Sequence, residues 1–518
     1  MGGVIEAPLH AARRRTQPRW PPALAGLAAA ALGLGVAELV AGLLSRTATP
    51  VIAVGEAFID RVPAWLKDLA VEWFGTADKA VLIGGVLVVF AGLSAAIGVL
   101  AARRRTAGLL AAGVLGAVAA LAVASRPDSS VGDLLPTIAG AGASLIALDR
   151  LAARASATAD ASDPPAGRRM FLRTTGVVAG LGLVAFLVGR WLGHRRSSVE
   201  ESRAAVALPD PSVEEPPGVD LGVEGAEPWQ TPNEVFYRID TALAVPLVQA
   251  ENWSLRVHGL VEREVDLGFD ELVDMGLVER WVTLTCVSNE VGGYLAGNAL
   301  WAGVPVADVL ALAGPAADAD AVKSTSADGW TAGTPLEVLT DRRDALFAVA
   351  MNGEPLPVEH GFPVRMVVPG LYGYVSATKW VVDIEVTRFA DFKAYWSTRG
   401  WSERGPIKTA SRIEVPRPDS GVTAGRVAVA GVAWAQHRGI QAVEVRVDDG
   451  PWRRARLADV PSTDTWRQWL WEWDADPGDH DLQVRAITAD GELQTEEEAP
   501  PAPDGATGWH RVSVTVDS

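Results

Sequence analysis

The sequence is poorest in the residues that most often hold metals and haems. Its 518 residues contain one cysteine, Cys286, and seven histidines. A single thiol forms no disulfide within the chain, and it supplies neither a haem attachment motif nor the ligands of an iron–sulfur cluster. No histidine lies in a long apolar run, which excludes a haem held there by two histidines; they are His10, His194, His258, His360, His437, His480 and His510. We therefore expect no haem and no iron–sulfur cluster in this chain.

Basic residues are also scarce, because 46 lysines and arginines face 63 acidic residues and the formal net charge is −17. This balance argues against nucleic-acid binding. Apolar residues make up 49% of the chain and the mean hydropathy is positive. A positive mean in a chain of this length indicates membrane segments beside a water-soluble part.

Apolar runs long enough to cross a bilayer as helices occupy the N-terminal part of the chain. They cover residues 23–44, 80–101, 107–125, 131–148 and 174–192. Arginines cluster at 13–15, at 103–105 and between 150 and 173, whereas the loop 46–78 has more acids than bases. The positive-inside rule then places the N-terminus in the cytoplasm and everything after Leu192 outside.

Two features of this region admit more than one interpretation. Glu38 lies in the outer half of the first run, where a carboxylate is a functional candidate, although a snorkelling or helix-paired carboxylate is favoured. The sequence Arg168-Arg169-Met-Phe-Leu-Arg173 resembles a twin-arginine export motif placed inside the chain. The alternative is an ordinary cytoplasmic anchor of positive charge.

The stretch around the lone cysteine carries the clearest chemical signal. The β-branched run Trp281-Val-Thr-Leu-Thr leads into Cys286, and Val-Ser-Asn289-Glu-Val-Gly-Gly293 follows. This pattern predicts a strand end that presents a thiol to a loop. A thiolate is a soft ligand for transition metals, but one thiolate holds no metal alone, so a cofactor must supply the other ligands. From these residues alone, a cofactor ligand and a small buried core cysteine remain equally good interpretations.

The same stretch resembles the molybdenum-ligand loop of the sulfite oxidase family of molybdopterin enzymes. Residues 298–310, Asn-Ala-Leu-Trp-Ala-Gly-Val-Pro-Val-Ala-Asp-Val-Leu, look like the helix that follows that loop. Residues 350–365, Ala-Met-Asn-Gly-Glu-Pro-Leu-Pro-Val-Glu-His-Gly-Phe-Pro-Val-Arg, are similar to the family's pterin-binding segment. Residues 370–380, Gly-Leu-Tyr-Gly-Tyr-Val-Ser-Ala-Thr-Lys-Trp, resemble the segment that closes over the cofactor. The resemblance covers about residues 228–518.

The resemblance implies one molybdenum–molybdopterin cofactor per chain, with Cys286 as the metal ligand. It assigns Arg238 to the substrate anion, a role for which a planar guanidinium is suited; a surface salt bridge is the alternative. His360, Arg365, Ser376 and Lys379 would bind the pterin phosphate. The full set of cofactor-binding residues that the resemblance implies is Tyr237, Arg238, Asp240, Cys286, Asn289, Asp328, His360, Arg365, Ser376, Thr378 and Lys379.

One position departs from the family pattern. Where sulfite oxidases place a tyrosine that points at the molybdenum, an alignment on Trp396 gives Trp401 here. An indole can donate a hydrogen bond but has no phenolic proton to transfer. Trp401 joins Cys286 and Arg238 as a predicted catalytic residue, and its identity leaves sulfite unproven as the substrate.

After about Trp401 the sequence turns to short strands separated by turns, such as 426–434 and 440–450, the latter ending in Asp-Asp-Gly. This pattern predicts an immunoglobulin-like sandwich, which resembles the dimerisation domain of the family and implies a possible homodimer. Before the cofactor-binding part, the Pro- and Glu-rich stretch 200–228 predicts a charged, extended tether.

The predicted organisation is multidomain: a helical transmembrane bundle, an α+β molybdopterin domain and an all-β sandwich. The boundaries are 1–22 for the cytoplasmic N-terminus, 23–152 for four transmembrane helices, 153–173 for a cytoplasmic linker with the twin-arginine-like motif, 174–192 for the fifth helix, 193–227 for the tether, 228–395 for the catalytic domain and 396–518 for the dimerisation domain. A cofactor inserted in the cytoplasm requires an already folded cargo, so the export motif and the cysteine loop support each other.

The predicted function is membrane-anchored, externally facing oxygen-atom transfer on sulfite or a related sulfur oxyanion. Electrons would pass to a separate cytochrome or quinone-linked carrier. A sulfoxide or N-oxide reductase that uses the same pocket is one alternative. A non-enzymatic adhesion or assembly module with a degenerate pocket is the other.

Overall fold

The computed structural model describes residues 20–44, 49–61, 73, 78–126, 131–157, 165–196, 199–209, 211–242, 245–341, 343–418 and 421–518. These residues divide into two compact units, with the boundary between Arg196 and Ser197. The first is helical, and the second consists mainly of β-strands.

The helical unit confirms the predicted apolar helices. Its helices are α1 (Trp20–Leu44), α2 (Pro50–Arg61), α3 (Asp78–Arg103), α4 (Arg105–Ala124), α5 (Leu134–Ala157) and α6 (Pro165–Arg196). Among the described residues, five helices are long and apolar enough to cross a membrane, namely Trp20–Leu44, Val81–Arg103, Arg105–Ala124, Leu134–Ala155 and Arg169–Leu192. The arginines at 13–15 and most of the loop 46–78, on which the predicted orientation depends, lie outside the described residues.

Helix α1 packs closely against α3, α5 and α6 because glycines remove the side chains at the crossing points. A Cβ at Gly26 would overlap the backbone of Ser94 in α3, and one at Gly35 would overlap Gly182 in α6. Small residues of this kind allow helix backbones to approach in lipid. Glu38 lies at the crossing of α1 and α6, with Arg190 as a nearby positive charge, which favours the interpretation as a helix-paired carboxylate.

The part of the second unit that precedes residue 396 contains two sheets and short helices. The strands are β1 (Ser254–Gly259), β2 (Val265–Gly268), β3 (Val278–Thr285), β4 (Ala296–Pro305), β5 (Ala321–Ser326), β6 (Thr331–Pro335), β7 (Leu346–Met351), β8 (Glu354–Pro355), β9 (Arg365–Val367) and β10 (Val381–Thr387). The helices are α7 (Val199–Ala205), α8 (Phe269–Asp274), α9 (Val306–Ala313) and α10 (Leu336–Thr340). One sheet has the order β2-β1-β10-β5-β6, and the other has β3-β4-β7-β8 with β9 paired to β7.

The C-terminal part is built from two further sheets. Its strands are β11 (Ala410–Val415), β12 (Gly421–Thr423), β13 (Gly425–Trp434), β14 (Ile440–Val447), β15 (Arg453–Arg454), β16 (Arg456–Leu457), β17 (Arg467–Ala475), β18 (Gly478–Thr488) and β19 (His510–Asp517). The sheet orders are β11-β13-β17-β16 and β12-β19-β18-β14-β15. A shared apolar core joins the two, with Val429 and Trp469 from the first sheet and Val443, Val484 and Val514 from the second.

Two expectations from the sequence were wrong in detail. Residues 298–310 are not one helix, because β4 runs to Pro305 and α9 starts only at Val306. Strand β4 lies between β3 and β7, and Gly303 lets the β7 backbone approach so closely that a Cβ would overlap Phe347.

The segment predicted as an extended tether also has more structure than expected. Helix α7 lies within it, and the Ser202 hydroxyl donates a hydrogen bond to the Glu251 carboxylate over 2.6 Å. Val199 and Val219 are buried in the core of the second unit. Apolar residues spaced among the acids therefore bind this segment to the β-rich unit. The predicted domain boundaries as such stay predictions.

Candidate functional site

A pocket in the second unit collects most of the residues singled out in the sequence. It holds about 930 Å³ of empty space, including its open mouth. The predicted site residues that line it are Tyr237, Arg238, Asp240, Cys286, Asp328, His360, Arg365, Lys379 and Trp401. They come from separate loops and strand ends, so the fold brings together residues that are up to 164 positions apart in the chain (237 to 401).

Cys286 follows directly after β3, at the start of the loop that connects β3 to β4. Its backbone N–H donates to the Leu295 carbonyl over 2.9 Å, which closes the loop across its base. The side chain reaches the pocket, although the residue is only 8% exposed. Burial raises the pKa of the thiol, and hydrogen bonds from Ser288 oppose this shift. A thiol in this position becomes a good ligand once a metal replaces its proton.

Asn289 shapes this loop and does not line the pocket. Its side-chain oxygen accepts a hydrogen bond from the Leu295 backbone N–H at 2.7 Å. Gly292, at φ +78°, lies in a region that other residues rarely adopt. The side-chain oxygen of Asn289 is thus used within the loop, and its predicted contact with a cofactor stays a prediction.

A buried basic cluster also lines the pocket. His360 ends a 3₁₀ turn, Val358–His360, and Arg365 begins β9; the Arg365 guanidinium donates to the His360 carbonyl at 3.0 Å. Burial lowers the pKa of His360 to about 4, with help from the cations of Arg365 and Lys379. Burial also lowers the pKa of Arg365 to about 10, so it stays charged at neutral pH. The Arg365 cation lies 5.0 Å from the ring centre of Trp301.

Asp240 links the basic cluster to the mouth of the pocket. Its carboxylate accepts hydrogen bonds from Arg238 Nε and from Lys379 Nζ, each at 2.8 Å. Burial lowers the pKa of Lys379 to about 8, although Asp240 opposes the shift. The Arg238 side chain is 41% exposed whereas that of Lys379 is 10% exposed. Arg238 therefore meets solvent first, and Lys379 lies deeper.

Two of the predicted cofactor-binding residues, Ser376 and Thr378, use their hydroxyls in hydrogen bonds within the protein. The Ser376 hydroxyl donates to the Tyr372 carbonyl at 3.0 Å, and the Thr378 hydroxyl pairs with that of Ser324 at 2.7 Å. Both residues are fully buried, and neither lines the pocket. Asp328 does line it, and one of its carboxylate oxygens accepts from the Trp330 N–H at 3.1 Å.

An aromatic wall, formed by Tyr374, Trp396 and Trp401, lines another part of the pocket. The rings of Tyr374 and Trp401 lie 5.8 Å apart, and those of Trp396 and Trp401 lie 6.1 Å apart. The Tyr374 hydroxyl donates to the Ser402 carbonyl at 2.9 Å, and burial raises its pKa. Tyr374 and Trp396 were not among the predicted site residues, although two tyrosines in the segment 370–380 were a visible signal.

Tyr237 completes the surroundings of the thiol. Its ring stacks on Phe236 at 5.2 Å, and burial raises its pKa, with Cys286 as a further cause. Within the described ranges, no group of three or more His, Cys, Asp or Glu residues could hold a metal ion. The donor set at this pocket is thus one thiol beside several cations. It suits a metal that arrives with its other ligands on an anionic cofactor.

Comparisons with known proteins agree with this chemistry. The family described as "Oxidoreductase molybdopterin binding domain" matches residues 242–396. "Uncharacterized oxidoreductase YuiH" of Bacillus subtilis (strain 168) is 35% identical over 153 residues, which is 30% of this chain and 74% of that protein. Human mitochondrial sulfite oxidase is 29% identical over 345 residues, 56% of this chain and 62% of that protein.

Sulfite oxidase of Gallus gallus is 30% identical over 294 residues, 48% of this chain and 63% of the relative. The chain thus spans just over three fifths of the length of these animal relatives. Among solved structures, the sulfane dehydrogenase SoxCD from Paracoccus pantotrophus is 23% identical, with a TM-score of 0.49 over 59% of this chain and 89% of that one.

Proposed function

The chain belongs to the sulfite oxidase family of molybdopterin-dependent oxidoreductases, and we propose that it binds one molybdenum–molybdopterin in the pocket around Cys286. The proposed reaction is two-electron oxygen-atom transfer with a small sulfur oxyanion such as sulfite. One observation carries the proposal: the single thiol of the chain and a buried basic cluster line the same pocket.

The residues fit such a group in number and in charge. One thiolate from Cys286 matches a metal whose other sulfurs come from the cofactor. Arg365 and Lys379 offer hydrogen-bond donors and positive charge to the cofactor phosphate. His360 lies beside them as a neutral ring whose Nε2 contacts the Asn233 carbonyl. The chemistry that the bound group supplies is the exchange of an oxygen atom and two electrons, while the protein binds, orients and shields it.

Arg238 and Asp240 would govern the approach of the substrate. The exposed Arg238 can offer its free guanidinium nitrogens to an anion because Asp240 engages only Nε. That same carboxylate also holds Lys379, so it links substrate binding to the cofactor side of the pocket. An oxyanion entering here would lie among the cations and against the aromatic wall.

A second candidate function has its own supporting observation. The aromatic wall presents Trp401 where the family resemblance leads one to expect a phenol, and it adds Tyr374 and Trp396. An apolar wall favours a substrate that carries organic groups, such as a sulfoxide or an N-oxide, with electrons flowing inward. A degenerate, non-enzymatic pocket is disfavoured because the thiol and the basic cluster are both in place.

Metal analysis and redox assays of the purified full-length chain test these proposals. We expect about one molybdenum per chain. Under anaerobic conditions, reduction of an acceptor dye by sulfite would support the oxidase, and oxidation of a reduced dye by a sulfoxide would support the reductase. An active protein free of molybdenum would end both proposals.

The location of the enzyme is a further part of the proposal. The five apolar helices would anchor the chain, and the twin-arginine-like motif would export the folded β-rich unit. Arg168→Lys with Arg169→Lys keeps the charge and changes the motif, so residues beyond 192 should lose access to external protease in spheroplasts. Arg103→Lys with Arg104→Lys is the matched control. If both variants and wild type are equally accessible to the protease, Arg168 and Arg169 serve only to set the membrane topology.

The remaining assignments concern assembly and electron flow. We propose that the two C-terminal sheets form an immunoglobulin-like sandwich, on the basis of their shared core and strand order, and that this part mediates a homodimer. A separate cytochrome or quinone-linked carrier would exchange electrons with the pocket. An isolated single chain with a b-type haem spectrum would contradict the need for that carrier.

A further inference from the structure

Arg412 is a fully buried cation on β11, in the C-terminal part of the second unit. Its guanidinium donates to Glu414 through Nε at 3.1 Å and to Glu227 through Nη2 at 3.0 Å. Glu414 also accepts a hydrogen bond from the Glu227 backbone N–H at 2.9 Å. The cation is thus held between two carboxylates from distant parts of the chain.

The other end of the same guanidinium reaches the cysteine loop, residues 286–295. Nη1 donates to the Gly293 carbonyl at 2.8 Å, and the cation lies 4.5 Å from the ring centre of Tyr294. A planar fork can direct its donors to opposite sides in this way, whereas an ammonium is a single point of charge. Arg412 therefore connects the buried Glu414 and the half-buried Glu227 to the loop that carries the thiol.

A histidine on β19, a strand of the other C-terminal sheet, restricts the same loop. His510, the first residue of β19, accepts a hydrogen bond from the Ile413 N–H at 3.0 Å. Its ring fills the space next to Gly292, where a Cβ would overlap it. The loop is thus limited by a contact at Gly292 and by a hydrogen bond at Gly293.

The strand before the thiol is also held by the C-terminal part. The Thr283 N–H of β3 donates to the Asp464 carbonyl at 3.0 Å, and its hydroxyl accepts from the Trp466 N–H at 2.7 Å. The side chain of Gln436 donates to the Thr285 hydroxyl at 2.9 Å. Both sides of Cys286 in the chain are therefore held by residues beyond 411.

We propose that Arg412 is a positioning residue that fixes the cysteine loop, so that the Cys286 thiol is held at the pocket and shielded from solvent. The C-terminal sheets then form part of the active-site scaffold. The inference rests on the proposed function only in assuming that the thiol binds the cofactor. The position of the thiol does not depend on that assumption, and the accessibility of Cys286 to a reagent measures it directly.

The lone cysteine makes the test direct, because any thiol-reactive reagent reports on Cys286 alone. The rate of alkylation is measured on the full-length chain and compared between samples of equal molybdenum content, and thermal unfolding is measured on the same samples. Arg412→Gln removes the charged donor to Gly293, so the loop should open more often. We expect alkylation to be at least roughly tenfold faster than in wild type.

Arg485→Gln is the matched control. Arg485 pairs with Glu444 in the same C-terminal part, at 2.9 and 2.7 Å, and no described hydrogen bond joins it to the cysteine loop. It should alkylate at the wild-type rate even where its unfolding temperature falls. Wild-type alkylation in Arg412→Gln, or equal acceleration in both variants, would overturn the proposal.

Arg412→Lys decides the question if the glutamine variant does not fold. It keeps a positive charge between Glu414 and Glu227 but lacks the fork that reaches Gly293. We expect an intermediate alkylation rate at a near-wild-type unfolding temperature, and the wild-type rate would overturn the proposal. The molybdenum content of wild type is decided separately, so a failure of Arg412 and a failure of the proposed cofactor are distinguishable.

Discussion

The two chemical walls of the pocket are held in place by different means. The cysteine wall, Cys286 and its loop, is fixed by side chains and backbone groups from beyond residue 411, among them Arg412 and Gln436. The basic wall, His360 to Lys379, is fixed by groups from residues 233–379. Lys379 Nζ donates to Asp240 at 2.8 Å, and the His360 ring contacts the Asn233 carbonyl at 3.2 Å. Within the wall, Met366 N–H donates to the Thr378 carbonyl at 2.8 Å.

Because of this difference, the two walls should respond differently to substitutions. The position of the thiol depends on contacts made far away in the chain, so substitutions in the C-terminal part can reach it. The described hydrogen bonds of the basic side chains stay within residues 233–379, so substitutions in the C-terminal part should leave these residues in place. The following substitutions test that contrast, beginning with the largest expected effect.

Replacing the thiol itself should have the largest effect. Cys286→Ser removes the proposed soft ligand from a pocket whose other lining residues are unchanged. We expect no measurable turnover and loss of molybdenum, with an unfolding temperature close to that of wild type, because a hydroxyl nearly matches the thiol in size. Retained turnover in this variant would mean that the cysteine wall carries no ligand.

Replacing a basic residue should lower cofactor retention without moving the thiol. Arg365→Gln removes the most deeply buried cation of the basic wall, and a charge-assisted hydrogen bond contributes about 1.5–3 kcal/mol. We expect cofactor affinity to fall by roughly ten- to a hundredfold, as measured by molybdenum content after dialysis.

Two observations sharpen this second test. The alkylation rate of Cys286 in cofactor-free Arg365→Gln should match that of cofactor-free wild type if the two walls are independent. A faster rate would show that the walls are coupled. Arg343→Gln is the control, because Arg343 pairs with Asp341 at 2.5 Å and does not line the pocket.

The contrast between the walls also explains what the sequence could predict. The thiol, the basic residues and Arg238 were found because each stands in a short motif whose order resembles that of a known family. The apolar helices were found because a bilayer imposes a length and a composition. These signals are local, and the structure confirms the helices and places those side chains in one pocket.

The features that could not be predicted depend on contacts between segments that are distant in the sequence. The sequence gives no sign that Ser376 and Thr378 would turn to Tyr372 and Ser324 for hydrogen bonds. Nor does it show that β4 would lie between two strands, where pairing overrides helix propensity. Arg412 was not among the residues singled out in the sequence, because its partners Glu227 and Gly293 are 185 and 119 positions away.

The next effect concerns the mouth of the pocket. Arg238→Gln removes an exposed cation that binds no cofactor group in our proposal. We expect KM for an anionic substrate to rise roughly ten- to a hundredfold, with a smaller rise for a neutral sulfoxide. Equal losses on both substrates would assign Arg238 to the cofactor and so to the basic wall.

The smallest expected effect concerns Lys379. It tests whether this residue acts through its positive charge or only through its position in the basic wall. Burial lowers the pKa of Lys379 to about 8, so its amine loses its proton just above neutral pH. If the ammonium attracts the anionic substrate or cofactor, binding of that anion should weaken a few-fold as the pH rises through about 8. In Lys379→Arg the charge persists, and this alkaline weakening should disappear from the pH profile of KM or of cofactor retention.

The stability of the cofactor-free chain should move in the opposite direction. The pKa of Lys379 in the folded state is depressed below its unfolded value, so above about pH 8 the unfolded chain holds more protons than the folded one, and stability rises with pH. The difference in unfolding temperature between wild type and Lys379→Arg should therefore shift in favour of wild type from pH 7.5 to about 10. Weaker anion binding together with this gain in stability would show that the neighbours of Lys379 hold it in an environment that disfavours its protonated form. A pH-independent difference in unfolding temperature would show that Lys379 stays charged and fully paired with Asp240.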